Sequence, residues 1–289
     1  MTIYESIFYC LDTSLHITSL IYFFTSAVQH NSFSLLFLSA FSEYKLGLIA
    51  HEGCHRAIPR YYGNLYDFVF SSSEMWIEKH NKKHHIYTNK NDDPDIDNMP
   101  FLRMTKIQPV YWYHKYQHIY QYLLFTLGAF SLRAQGLVYI YKKQNIIYHI
   151  ILNIPSFLVF IIYPIVISNI YGILFYMFHN MLIGLFYGII FSVSHINEKT
   201  LFNNNETNFE NIQLNETVDW STESIFWNYM TNGLNHQVIH HLKPNISSCN
   251  YPLLSKKFKK TYSEKYKSFE NIFIATISNY NYMKKLGVK

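Results

Sequence analysis

The stretch NIIYHIILNIPSFLVFIIYPIVISNIYGILFYMFHNMLIGLFYGIIFSVSH, Asn145 to His195, contains no Asp, Glu, Lys or Arg. About 20 apolar residues suffice for a helix to cross the hydrocarbon core of a bilayer, so a run of roughly twice that length predicts two spans. They are expected at 146–167 and 172–194, as a hairpin turning near Ser168 to Gly172. Outward from there, residues 13–42 are also uncharged and apolar character continues to Ala50, with a polar break at Gln29, His30 and Asn31. That break predicts a second hairpin with spans at 13–29 and 32–50. The expected fold is an all-α integral membrane protein with about four transmembrane helices in two hairpins.

Of the 24 Lys and Arg residues, twelve lie in residues 56–144, eleven lie after residue 195, and Lys45 is the remaining one. Cytoplasmic segments of membrane proteins keep an excess of basic residues. Both basic segments follow an even-numbered span, so four spans and the charge rule agree, and both segments are expected to form a cytoplasmic helical cap. The net charge of +5 fits attraction to anionic lipid headgroups, because the basic residues flank apolar spans and form no nucleic-acid recognition motif. No nucleic-acid partner is expected. Cys10, Cys54 and Cys249 are odd in number and far apart, which fits a reducing compartment and not a disulfide framework. The amino terminus has no basic region ahead of its first apolar stretch, so that stretch is expected to act as a signal anchor, not a cleaved leader.

Seven histidines fall into three clusters just beyond the apolar stretches: His51 with His55, His80 with His84 and His85, and His240 with His241. His195, at the end of the fourth expected span, is level with the first cluster. One zinc ion takes three or four protein ligands, so this many imidazoles suit two metal ions better than one. Spacing supports the reading, since residues four apart share a helix face, while an adjacent residue is rotated by about 100° and can reach a different ion. The five residues His51-Glu-Gly-Cys-His55 also match the zinc metalloprotease motif, with Glu52 as general base. Such a protease needs one further ligand and leaves the other two clusters unexplained. Imidazole suits iron, zinc and copper alike, so spacing leaves the metal open.

Other polar groups have plainer readings. His114, His118, His149, His179 and His236 read as structural. Asp92, Asp93, Asp95 and Asp97 lack the glycine and terminal glutamate of a calcium loop; they read either as an ordinary polar loop or as carboxylates that orient ligand imidazoles. Glu43 lies two helical turns from His51, deeper in the expected bilayer, and an acidic residue there is a functional candidate by default. The segment 101–143 mixes aromatic and polar residues in the manner of helices that lie along a membrane interface.

Together the clusters and their flanks resemble the membrane fatty acid desaturases, in particular the front-end and linoleoyl-CoA-type branch. His51-Glu-Gly-Cys-His55 is similar to the first histidine box. Trp76 to Asn89, containing His80-Asn-Lys-Lys-His84-His85, is similar to the second. Asn232 to Pro244, containing Gln237-Val-Ile-His240-His241, is similar to the third. Asn232 and Lys243 depart from the residues usual in the family, which bears on substrate fit more than on chemistry. The resemblance runs from about residue 40 to 285 and implies two iron ions held by His51, His55, His80, His84, His85, His195, His240 and His241. Gln237 occupies the position where other branches carry a further histidine. It implies a cis double bond introduced into a fatty acyl chain, on coenzyme A or a lipid, with O2 as co-substrate and electrons from a separate cytochrome b5 or ferredoxin-type donor. No residue beyond the metal ligands is assigned as an acid or base. No His-Pro-Gly-Gly haem motif occurs, so residues 1–289 are expected to form one desaturase domain without a fused cytochrome b5 domain. The expected location is the endoplasmic reticulum of a eukaryote or the inner membrane of a bacterium. The same site on a lipid hydroxylase is the nearest alternative, and the zinc protease is the alternative from another class.

Overall fold

The structure, a computed structural model, describes residues 1–69, 71–143 and 146–288; Asn145, where the uncharged run begins, lies outside them. The chain is mostly helical. Its principal elements are α1 (Ile3–His30), α2 (Phe33–Cys54), the π-helical α3 (Ile77–His84), α4 (Gln117–Phe125), α5 (Gly128–Lys143), α6 (Ile146–Phe157), α7 (Gly172–His195), α8 (Phe209–Glu216), β1 (Asp219–Trp220), α9 (Gln237–Leu242), α10 (Tyr251–Thr261), β2 (Ser268–Phe269) and α11 (Ile272–Leu286). Three helical runs are long and apolar enough to cross a membrane: Ile3–His30, Phe33–Cys54 and Ile146–His195, with Trp112–Phe125 and Gly128–Lys143 a further candidate only if counted together as one broken span. The backbone divides into two compact units, Met1–Met75 with Phe125–Tyr187, and Trp76–Leu124 with Gly188–Lys289.

In the first unit, α1 begins ten residues before the expected start at 13. Thr2 and Glu5 form a capping box there, with Glu5 N–H donating to the Thr2 hydroxyl at 3.2 Å and Thr2 N–H to the Glu5 carboxylate at 2.6 Å, which satisfies two N–H groups that a helix start otherwise leaves orphaned. Asp12 does not interrupt the helix because it lies on the buried face, 3.4 Å from His16 and 3.9 Å from Lys45 of α2. Asn31, in the left-handed region at φ 50°, ends α1, and the Ser32 hydroxyl caps α2. Leu20, Phe24, Ala27, Leu36, Leu46 and Phe160 form the apolar core between these helices.

The uncharged run breaks at Asn169, whose φ of 55° ends the helical turn Tyr163–Ser168. The chain then doubles back so closely that a Cβ at Gly172 would overlap the Pro164 carbonyl. The Phe160 ring accordingly stacks on His179 of α7 at 5.5 Å. In this unit Glu43 is ion-paired with Arg133 of α5, and its other oxygen lies 3.6 Å from His179.

In the second unit, β1 and β2 pair in parallel over two residues, Asp219 with Ser268 and Trp220 with Phe269. Val193, Val218, Trp220, Phe269 and Ala275 form its core, and the Trp220 indole N–H donates to the Ser194 hydroxyl at 3.0 Å. Polar clamps join α4 to α11: the Gln117 amide donates to the Met283 carbonyl at 2.9 Å and the Gln121 amide to Asn279 at 3.1 Å.

Candidate metal centre

His51 and His55 occupy the end of α2 in the first unit, both buried, with ring centroids 4.7 Å apart. Gly53 lets this end of the helix lie against the backbone of Tyr62 and Gly63, which a Cβ would obstruct. Glu52, rotated about 100° from His51 on the helix, accepts a hydrogen bond from the buried Tyr9 hydroxyl at 2.7 Å. The carboxylate that a metalloprotease would use as its base is thus committed to α1.

In the second unit, the second and third clusters sort into two groups. His80, His85 and His240 form one, with His80 Nε2 and His85 Nε2 3.2 Å apart and the His85 and His240 rings 4.8 Å apart. His84, His195 and His241 form the other, with ligand nitrogens within 4.8 Å of one another. The adjacent pairs separate as helix rotation requires: His84 and His241 turn to one group, His85 and His240 to the other. The π-helical winding of Ile77–His84 contributes, because i→i+5 bonding brings His85 beneath His80. Gln237 places its amide nitrogen 2.8 Å from His195 Nε2.

The surrounding groups present the imidazoles for ligation. His84 Nδ1 donates to Asp93 at 2.9 Å and His241 Nδ1 to the Gln213 side-chain oxygen at 2.8 Å. The opposite nitrogen of each, Nε2, is buried without a hydrogen-bond partner among the described residues. Buried polar atoms are ordinarily paired, so these orphaned Nε2 atoms beside His195 fit a bound metal ion, and the all-imidazole set suits iron, zinc or copper. His80 Nδ1 lies 3.3 Å from Asp95 and His240 Nδ1 3.3 Å from the Tyr251 hydroxyl. Burial, reinforced by the neighbouring imidazoles, holds the pKa of His241 far below its usual value, which keeps the ring in the neutral form that ligates metal. Burial would do the same to His84, but the Asp93 and Asp95 carboxylates outweigh it and raise its pKa. Asp95 stays ionised against burial because Lys79, 3.1 Å away, and His84 lower its pKa.

The five histidines read as structural meet partners outside these two groups. His114 bonds to the Pro100 carbonyl, His149 to Asp67, His179 to Ser39 and His236 to Asn228; His118 packs edge-on against Tyr280. Burial lowers the pKa of His236 to about 4. Within the Asp92–Asp97 loop, Asp93 contacts His84 and Asp95 contacts His80. Sequence reasoning missed Gln213 and Tyr251, and took Thr88 only as a flank of the second box. Gln213 bonds to His241, accepts from the Thr88 hydroxyl at 2.9 Å and donates to the His85 carbonyl at 2.9 Å. Asn89, quoted only as a flank of the second box, donates to the His195 carbonyl at 2.7 Å.

The sequence profile described as fatty acid desaturase matches residues 31–271. The chain belongs to the fatty acid desaturase family. It is 28% identical over 302 aligned positions to an acyl-lipid (8-3)-desaturase of Physcomitrium patens, covering 93% of this chain and 63% of that protein. It is 30% identical to the Delta(5) fatty acid desaturase A of Dictyostelium discoideum, covering 82% of this chain and 59% of the relative. A Synechocystis sn-1 linoleoyl-lipid 6-desaturase is also 30% identical, with 83% of this chain and 76% of the relative covered. The chain therefore spans about 60% of the length of the first two relatives. Helix α1, with Tyr9 and Asp12, precedes the matched stretch.

Proposed function

We propose that this desaturase-family chain introduces a cis double bond, by front-end chemistry, into fatty acyl chains esterified in membrane lipids. The observation that carries the reading is the division of the second and third histidine boxes into two buried imidazole groups, each built from both boxes. The names of the relatives, an acyl-lipid (8-3)-desaturase and a linoleoyl-lipid 6-desaturase, favour a lipid-bound acyl group over acyl-coenzyme A. Residues 1–289 are read as one desaturase domain.

In this reading two iron ions occupy the centre. His84, His195 and His241 hold one, with Gln237 beside His195; His80, His85 and His240 hold the other; His51 and His55 are the further ligands that the desaturase resemblance implies. Bound there, the iron pair would supply, from O2 and the electrons of a separate donor protein, the oxidising power that removes one hydrogen from each of two neighbouring methylenes and leaves water as the other product. The protein's own groups hold and shield the site. Asp93 and Gln213 fix which nitrogen of His84 and His241 faces inward, the work that hydrogen bonds to metal-ligating imidazoles ordinarily do. Close burial of His84, His195 and His241 keeps bulk water from them. Four spans in two hairpins put the boxes and both basic segments at the cytoplasmic face, where an acyl chain enters from the lipid phase while its headgroup remains in water.

The test is expression in a host of known lipid composition, followed by mass spectrometry of its fatty acids. The expected result is a new species lighter by two hydrogens, absent with His84→Ala. An unchanged profile, from iron-loaded protein with a competent reductase present, contradicts the proposal. A product heavier by one oxygen would identify a hydroxylase instead.

A further inference from the structure

Helix α10 carries an exposed lysine cluster and begins at a residue that contacts a proposed metal ligand. It begins at Tyr251, which is buried and whose hydroxyl lies 3.3 Å from His240 Nδ1. About two turns further on, the helix exposes Lys256, Lys257, Lys259 and Lys260. Lys256 meets Glu223 at 3.4 Å, but both side chains are more than half exposed, and a pair so open to water contributes little and leaves the face strongly positive.

We infer that this lysine face of α10 is the docking surface for an acidic one-electron carrier protein, and that the contact between Tyr251 and His240 connects that helix to the metal centre. The inference rests on the proposed desaturation, which consumes electrons from outside the chain. Each encounter oxidises the carrier by one electron and reduces the iron centre by one. Two such electrons with two protons, together with the two hydrogens taken from the substrate, balance the reduction of one O2 to two waters.

An anionic membrane surface is the rival occupant, and the pattern of exposure argues against it. A helix lying in a bilayer interface presents a broad apolar face beside its basic one. Along α10 the exposed apolar residue is Leu253, whereas α4 with the turn before it exposes Trp112, Tyr116, Ile119 and Leu123, and α11 exposes Phe273, Ile274 and Ile277. The lipid-like faces of the unit belong to those helices, and α10 carries charge. Complementary charge accelerates protein encounter by about ten-fold to a thousand-fold at low salt.

The experiment uses the iron-loaded full chain in nanodiscs, with a soluble acidic cytochrome b5 and a plant-type ferredoxin as probes. Stopped-flow absorbance follows reduction of the iron centre at low and high ionic strength in wild type, in Lys259→Glu/Lys260→Glu, and in Lys142→Glu/Lys143→Glu, an equal reversal on the exposed end of α5. The expected result is an approximately ten-fold or greater loss of rate at low salt for the α10 reversal with at least one probe. The salt dependence should flatten, the α5 reversal should react like wild type, and reduction by dithionite should stay the same in all three. Equal rates for wild type and the α10 reversal with both probes overturn the docking surface alone. So does a reversal that changes only flotation with phosphatidylserine vesicles, which would assign α10 to the membrane. A wild type that binds no iron overturns the desaturase reading and this inference together.

Discussion

Gln213 ties the second histidine box to the third with a single side chain. Its amide satisfies His241 Nδ1, the Thr88 hydroxyl and the His85 carbonyl at once. Gln213→Leu keeps the bulk but removes these bonds in a buried setting, leaving His241 Nδ1 only the longer 3.3 Å contact with the Thr88 hydroxyl, and a poorly satisfied buried polar atom is costly. The variant should bind one of the two proposed iron ions about 10 to 100 times more weakly, the usual effect of losing a bond that orients a ligand imidazole. Chelator competition followed by iron analysis measures it; retention equal to wild type contradicts the assignment. Nothing in the sequence marks Gln213, because it sits at no fixed spacing from a box and becomes relevant only once α8 packs beside α9. Asp93 and Asp95 were half legible: their nearness to the second box allowed an orienting role, but only the folded loop brings Asp93 onto His84. Asp219 allows a second prediction. Burial raises its carboxyl to about 7, against about 3.9 in an unfolded chain, so the folded state binds the proton more tightly. Stability from this group is therefore complete below about pH 4 and is lost as pH rises toward 7. Asp219→Asn should raise the Tm relative to wild type more at pH 8.5 than at pH 5.5. An equal difference at both values would contradict the shift.

At the scale of helices, Glu43 shows where reading a sequence span by span stops. An acidic residue in a span is a functional candidate on general grounds, and its partner Arg133 lies 90 residues away, with no local pattern to connect them. With Arg133 in place, Glu43 is part of the packing of α2 against α5 and α7. Removing one member of a buried pair leaves an uncompensated charge that costs about 3 to 5 kcal/mol, whereas an apolar replacement of both can be neutral. Glu43→Ala should thus lower the Tm in detergent sharply, and Glu43→Leu with Arg133→Met should recover most of the loss. A double variant as unstable as the single one would mean that the charges do something other than pair. The start of α1 was hidden for a similar reason, since Asp12 reads as the edge of an apolar run until Lys45 is seen to face it.

For the molecule as a whole, the composition carried the main outline. Uncharged runs marked the three long apolar stretches, and the turn of the last one is visible as Asn169 and Gly172. The histidine doublets announced that one helix would feed two imidazole groups, because adjacent residues cannot share a helix face. What the sequence could not express is how helices far apart in the chain supply bonds to those imidazoles, or that the second box winds as a π-helix. The account as a whole depends on two metal ions per chain. Iron analysis of full-length protein in nanodiscs, beside folded His240→Ala and His241→Ala variants, tests this most directly. The account predicts two irons per chain in wild type and a fall toward one in each variant; a single ion or none in wild type, or two retained in both variants, would contradict it.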